Sequence, residues 1–121
     1  MSAPLFHCVV HGKPVPQGRA RTTRFGTFYP KTSKAWRKVL VASFVPRVTM
    51  KLIQGGIPLS LLIEVSGMRA NSDLDNHAKM VLDALQDAHV LRSDDVRTVR
   101  ELIVRVVDGE PRTVVTITAH D

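Results

Sequence analysis

The chain has 121 residues, 44% hydrophobic and 23% charged. That balance suits one soluble domain over residues 1–121 and excludes a disordered chain, a collagen-like rod and a coiled coil. A single cysteine, Cys8, excludes an intrachain disulfide and a thiolate zinc cluster, and no apolar run approaches the roughly 20 residues of a membrane span. With no basic-then-apolar leader pattern at the start, a cytoplasmic protein is expected.

The net charge of +6 points to a polyanionic partner. Its distribution is uneven. Residues 1–63 carry ten Lys/Arg and no Asp or Glu, whereas residues 64–121 carry seven Lys/Arg and eleven Asp/Glu. Such a division suggests a nucleic-acid surface built from the first half of the chain.

In chain order, Leu5–Val10 is an apolar run that predicts a first strand. The stretch Gly12-Lys13-Pro14-Val15-Pro16-Gln17-Gly18 is too rich in proline and glycine for regular structure. Arg19, Arg21, Arg24, Lys31 and Lys34 follow, with Phe25, Phe28 and Tyr29 among them. Forked arginine donors suit phosphates, and aromatic rings suit stacking on bases or packing a loop down. Thr32 or Ser33 then offers a cap for a helix carrying Trp36, Val39, Leu40 and Phe44 at helical spacing, which Pro46 ends. Residues 47–56 read as a loop closing on Gly55-Gly56, and Ile57–Ser66 as a central strand. After the turn Gly67–Ser72, which includes the basic Arg69, a second helix runs from about Asp73 to Ala88. Its buried stripe is Leu74, Ala78, Val81, Leu82 and Leu85, and Ser72 with Asp75 fits a capping box. Arg97–Val107 and Arg112–Ala119 read as an antiparallel hairpin joined at Asp108-Gly109-Glu110-Pro111. The fold class is therefore α+β, a small mixed sheet with two main helices in the order β, basic loop, α, β, α, β, β.

The chemistry concentrates between residues 73 and 95, where Asp73, Asp75, Asp83, Asp87, Asp94 and Asp95 make six of the eleven carboxylates. Asp75, Lys79 and Asp83 recur every four residues and share a helix face. Acids at a helix start also serve the helix dipole, so capping competes with catalysis as an explanation for Asp73 and Asp75. Bringing Asp94-Asp95 back toward that helix costs about 4 kcal/mol per like-charge contact at ~4 Å and an effective dielectric near 20. A divalent cation removes that cost, and an all-oxygen set selects Mg²⁺, with Mn²⁺ as a substitute, over zinc or copper. His77, two residues after Asp75, reads as a solvated or core-edge side chain.

The pattern Asp73-Leu74-Asp75-Asn76, Lys79, Asp83-Ala84-Leu85, Asp94-Asp95 resembles the RusA family of Holliday-junction resolvases. The stretch Gly12-Lys13-Pro14, Arg19-Ala20-Arg21, Tyr29 is similar to the basic segment of that family. His89 stands where the family often has glycine. The resemblance implies a homodimer that binds four-way DNA junctions and makes paired symmetric nicks with Mg²⁺ in recombination and repair. It implies metal ligands at Asp73, Asp75 and Asp95 and a catalytic lysine at Lys79. Lys13, Arg19, Arg21, Arg24, Lys31, Lys34 and Arg69 are the expected DNA contacts. Two other readings are a non-catalytic nucleic-acid binding protein and a subunit whose basic half docks on an acidic protein.

Overall fold

A computed structural model describes residues 3–18, 21–28 and 30–121, without the side chains of Arg21, Phe28, Ile53 and Gln54. Arg19, Ala20 and Tyr29 of the basic segment lie outside the described residues. The strands are β1 (Phe6–His11), β2 (Arg21–Thr23), β3 (Gly26–Phe28), β4 (Leu59–Ser66), β5 (Val99–Val106) and β6 (Arg112–Ala119). The helices are α1 (Lys31–Phe44), α2 (Met50–Gln54) and α3 (Leu74–Asp87), with a 3-10 turn at Val45–Arg47. The class is α+β with a mixed sheet, as the sequence predicts.

Four strands form the main sheet in the order β1-β6-β4-β5. Alternation decides which face is covered. Phe6, Cys8 and Val10 of β1, Leu59, Leu61, Ile63 and Val65 of β4, and Val115 and Ile117 of β6 are all buried. They meet Trp36, Leu40 and Phe44 of α1 and Met80, Val81, Ala84 and Leu85 of α3 in a single core. Phe6 and Phe44 pack edge to face with ring centres 5.7 Å apart. Each fully buried aliphatic or aromatic side chain contributes about 1.5–3 kcal/mol of transfer free energy. α1 and α3 are further tied by Arg37, which lies 2.5 Å from Asp87 and 3.9 Å from Asp83.

The expected β5–β6 hairpin does not form. β5 pairs in parallel with β4 and forms the edge, and β6 lies between β4 and β1, antiparallel to both. Composition explains the placement. β5 carries charge on both faces (Arg100, Glu101, Arg105) and tolerates an edge, whereas β6 has no charge after Arg112 and fits the interior. The link between them crosses the end of β4: Val107 N–H donates to the Val65 carbonyl (2.9 Å) and Ser66 Oγ donates to the Glu110 carbonyl (2.6 Å). Gly67 makes the crossing possible. Its φ is +75°, and a Cβ there would sit 2.6 Å from Pro111 Cα.

Three local expectations also change. The basic loop contains a small antiparallel ribbon, β2–β3, because Gly26, with φ of +124°, makes a tight return that the prolines before it do not prevent. Part of the expected 47–56 loop is α2. Helix α1 starts after Pro30 with no side-chain cap, so neither Thr32 nor Ser33 caps it. Pro46 does end α1, and His89 occupies the left-handed region with φ of 61°. There the His89 N–H donates to Gln86 and the Val90 N–H to Leu85, a Schellman closure of α3 with histidine in the glycine position.

Candidate active site

The loop from β4 to α3 is built as a rigid turn. Ser72 N–H and Ser72 Oγ–H both donate to the Arg69 carbonyl (3.1 and 2.6 Å). With its proton so used, Ser72 Oγ accepts from His77 Nε2 at 2.9 Å, which fixes the Nε2–H tautomer. His77 is only 2% exposed, and burial pushes its pKa below the usual value. The expected capping box is absent because Ser72 is occupied in this way. Asp73 takes the cap position instead, and its side chain makes no cap hydrogen bond.

His77, Ala78, Met80 and Val81 turn inward, with Leu74 packed against the core, so the intervening Asp73, Asp75 and Lys79 are exposed. Among the described residues no ion pair holds any of these three. Asp83, the expected partner of Lys79 one turn on, is engaged by Arg37.

The basic segment docks on this helix start. Gln17 N–H donates to the Asn76 carbonyl (3.0 Å), and Gly12 N–H to Pro111 (3.1 Å). Ser33, 4% exposed in the first turn of α1, donates to the Pro16 carbonyl and accepts from the Gly18 N–H, both at 3.1 Å. Gly18 has no room for a side chain, since a Cβ would come 2.6 Å from Pro30 Cγ. Segment, α1 start and β4–α3 loop together enclose a cleft of about 500 Å³, lined by Lys13, Ser33, Arg69 and Ser72 among others. Lys13 and Arg69, predicted from opposite halves of the chain, are thus brought together. Lys31 and Lys34 are exposed on the first turn of α1 beside them. Arg24 lies on the β2–β3 turn, 4.9 Å over the Phe25 ring. Arg21 contributes only its backbone to the described structure, and Arg19 falls outside it.

Asp95 is elsewhere. It follows α3 and precedes β5, at the end of the sheet where Leu59 pairs with Val99. Asp73 and Asp75 follow β4, at the end where Val65 pairs with Val106. Helix α3, 14 residues and roughly 21 Å long, returns the chain between these ends. Asp95 caps the turn before β5, its Oδ1 accepting from the N–H groups of Arg97 (3.0 Å) and Thr98 (3.3 Å) and its Oδ2 from Arg97 Nη2 (2.8 Å). The Arg97 guanidinium, helped by those amides, holds its pKa at about 2. Asp95 lines a second cavity of about 400 Å³ with Lys51, Arg92 and Arg97. Asp94 is exposed beside it. No group of three or more His, Cys, Asp or Glu side chains gathers at metal-binding distance among the described residues.

Sequence reasoning missed the elements that hold the site together: Gln17 on Asn76, Ser33 on the segment, and His77 on Ser72. His77 carried a usable signal, since it falls on the helical stripe between Leu74 and Val81. The contacts of Ser33 and Gln17 are long-range and leave no local pattern.

The comparisons with known proteins add one finding. The family model for endodeoxyribonuclease RusA matches residues 11–118. A comparison with curated proteins finds no match. No helix among the described residues is long and apolar enough to cross a membrane. The matched span takes in the docked basic segment, the acidic start of α3 and every strand of the main sheet except the first five residues of β1 and the last residue of β6, and on that extent the chain belongs to the RusA family of endodeoxyribonucleases.

Proposed function

We propose that this protein is a Mg²⁺-dependent endonuclease that resolves four-way DNA junctions as a homodimer, in recombination and repair in the cytoplasm. The observation that carries this reading is the juxtaposition of two exposed carboxylates, Asp73 and Asp75, with a basic segment anchored on the same helix turn through Gln17 and Asn76. Side-chain capping does not account for Asp73, which makes no cap hydrogen bond.

The donor chemistry of Asp73 and Asp75 fits a hard cation: their carboxylates are solvent-facing and, among the described residues, in no ion pair, whereas Asp95 would have to exchange its Arg97 contact for the metal. Asp73, Asp75 and Asp95 would hold the metal, which when bound supplies an activated water and charge neutralisation at the scissile phosphate. Asp95 stands at the far end of its own sheet, so we infer that a second copy supplies it and that each site takes the partner's Asp95. Lys79, one turn beyond Asp75 on the same exposed face, places an ammonium group where negative charge develops on the phosphate oxygens in the transition state. Lys13 and Arg69 at the cleft, with Arg19, Arg21, Arg24, Lys31 and Lys34, neutralise backbone phosphates and set the register of the DNA without reading bases. Two equivalent strands of a junction require two equivalent sites, which a two-fold dimer supplies.

The test compares wild type with Asp75→Asn on a synthetic four-way junction, with and without Mg²⁺. Paired nicks by the wild type only with metal, and retained junction binding without cleavage by the variant, are expected. An Asp75→Asn protein that nicks at near wild-type rate refutes the assignment.

A further inference from the structure

Of the three phenylalanine side chains the structure describes, Phe6 and Phe44 are buried in the core and Phe25 is 77% exposed. Phe25 sits at the tip of the β2–β3 ribbon, where residues 22–27 are all exposed. Turns of this kind favour glycine and short polar residues, so the turn itself does not call for an aromatic ring. The backbone nevertheless holds the ring out: Phe25 N–H donates to Thr23 Oγ1 at 3.1 Å. The Arg24 guanidinium lies 4.9 Å over the ring and covers one face, leaving the other to solvent.

The feet of the ribbon are fixed at the cleft. Gly18 and Pro30 both line it, with Lys13 and Arg69. They touch so closely that a Cβ on Gly18 would come 2.6 Å from Pro30 Cγ, and Ser33 Oγ accepts the Gly18 N–H. Phe25 is five residues from Pro30, so its Cα lies within about 18 Å of that foot. This is about five base-pair steps of DNA at roughly 3.4 Å each. The ribbon and both its feet fall within residues 1–63, which contain no Asp or Glu. The ring therefore stands on a cationic surface, within reach of any DNA whose phosphates occupy the cleft.

We propose that Phe25, backed by Arg24, stacks on a base pair laid open at the branch point and so selects branched DNA over an unbranched duplex. The inference rests on the junction reading above and names the side chain that senses the branch. Inside a duplex, neighbouring pairs cover both faces of each base pair, and an aromatic ring finds no free π face. Where arms part, the last pair of an arm exposes one. Such stacking tolerates any sequence, because every base has a π face.

The test measures affinity of the full-length protein for a synthetic four-way junction and for a linear duplex of the same sequence, without divalent metal so that no strand is cut. Phe25→Ala is expected to weaken junction binding by about tenfold, the effect of one lost base–aromatic stack, and duplex binding by less than about twofold. Phe25→Leu keeps apolar bulk without a π face and falls with alanine, whereas Phe25→Trp retains wild-type affinity. The indole of Phe25→Trp is also a direct probe. Its emission is quenched by the junction and not by the duplex, over the background of Trp36, which is 7% exposed. Wild-type junction affinity in Phe25→Ala or Phe25→Leu overturns the proposal, and so do equal losses, or equal quenching, on junction and duplex. In those cases a wild type that still prefers the junction leaves the junction reading standing. A wild type that binds both DNAs alike overturns that reading and this inference with it.

Discussion

Ser33→Ala isolates the contact that fastens the basic segment to the body of the protein. The hydroxyl is buried, donates to the Pro16 carbonyl and accepts from the Gly18 N–H, both at 3.1 Å. Alanine removes both bonds, adds nothing in their place and strands two backbone groups. At about 1 kcal/mol net per hydrogen bond the loss is about 2 kcal/mol if the segment stays docked. For a chain of this length that lowers Tm by roughly 8 °C. If the segment instead releases and its backbone rehydrates, the melting temperature changes less. The cost then appears in DNA binding, because Lys13 and its neighbours are no longer held beside α3. Thermal denaturation and junction affinity at fixed salt, measured on the same preparation, distinguish the two outcomes. A variant with wild-type Tm and wild-type affinity refutes the claim that Ser33 clamps the segment.

Two further variants test the site and its frame. Lys13→Ala with Arg69→Ala should flatten the dependence of log affinity on log salt by about 1.8 if each side chain neutralises one phosphate, with the loss equal across junction sequences; a salt titration of wild type and double variant measures it, and parallel lines place the two residues off the DNA. His89→Gly relieves a non-glycine residue at φ of 61° and should raise stability by about 0.5–1 kcal/mol after the entropy cost of glycine, read as a higher urea midpoint at unchanged slope.

The sequence alone determined the main helices, the central strand, the α+β class and the family. Those features are written in local signals: the spacing of Trp36, Leu40 and Phe44, the alternation through Leu59–Val65, and the carboxylate pattern from Asp73 to Asp95. Sequence also marked His89 as a histidine in a glycine's place. Tertiary structure alone decided the rest. Whether β5 and β6 pair with each other is not set by their turn, because it depends on β4 entering between them and on Gly67 leaving space for Pro111 to cross. Whether Ser72 caps α3 depends on His77 and Arg69 competing for its hydroxyl. Spacing along the chain placed Asp95 with Asp73 and Asp75 in one list of acids. The parallel pairing of β4 with β5 instead puts a helix length between them, since a crossover must carry the chain from one end of a sheet back to the other before the next parallel strand can begin.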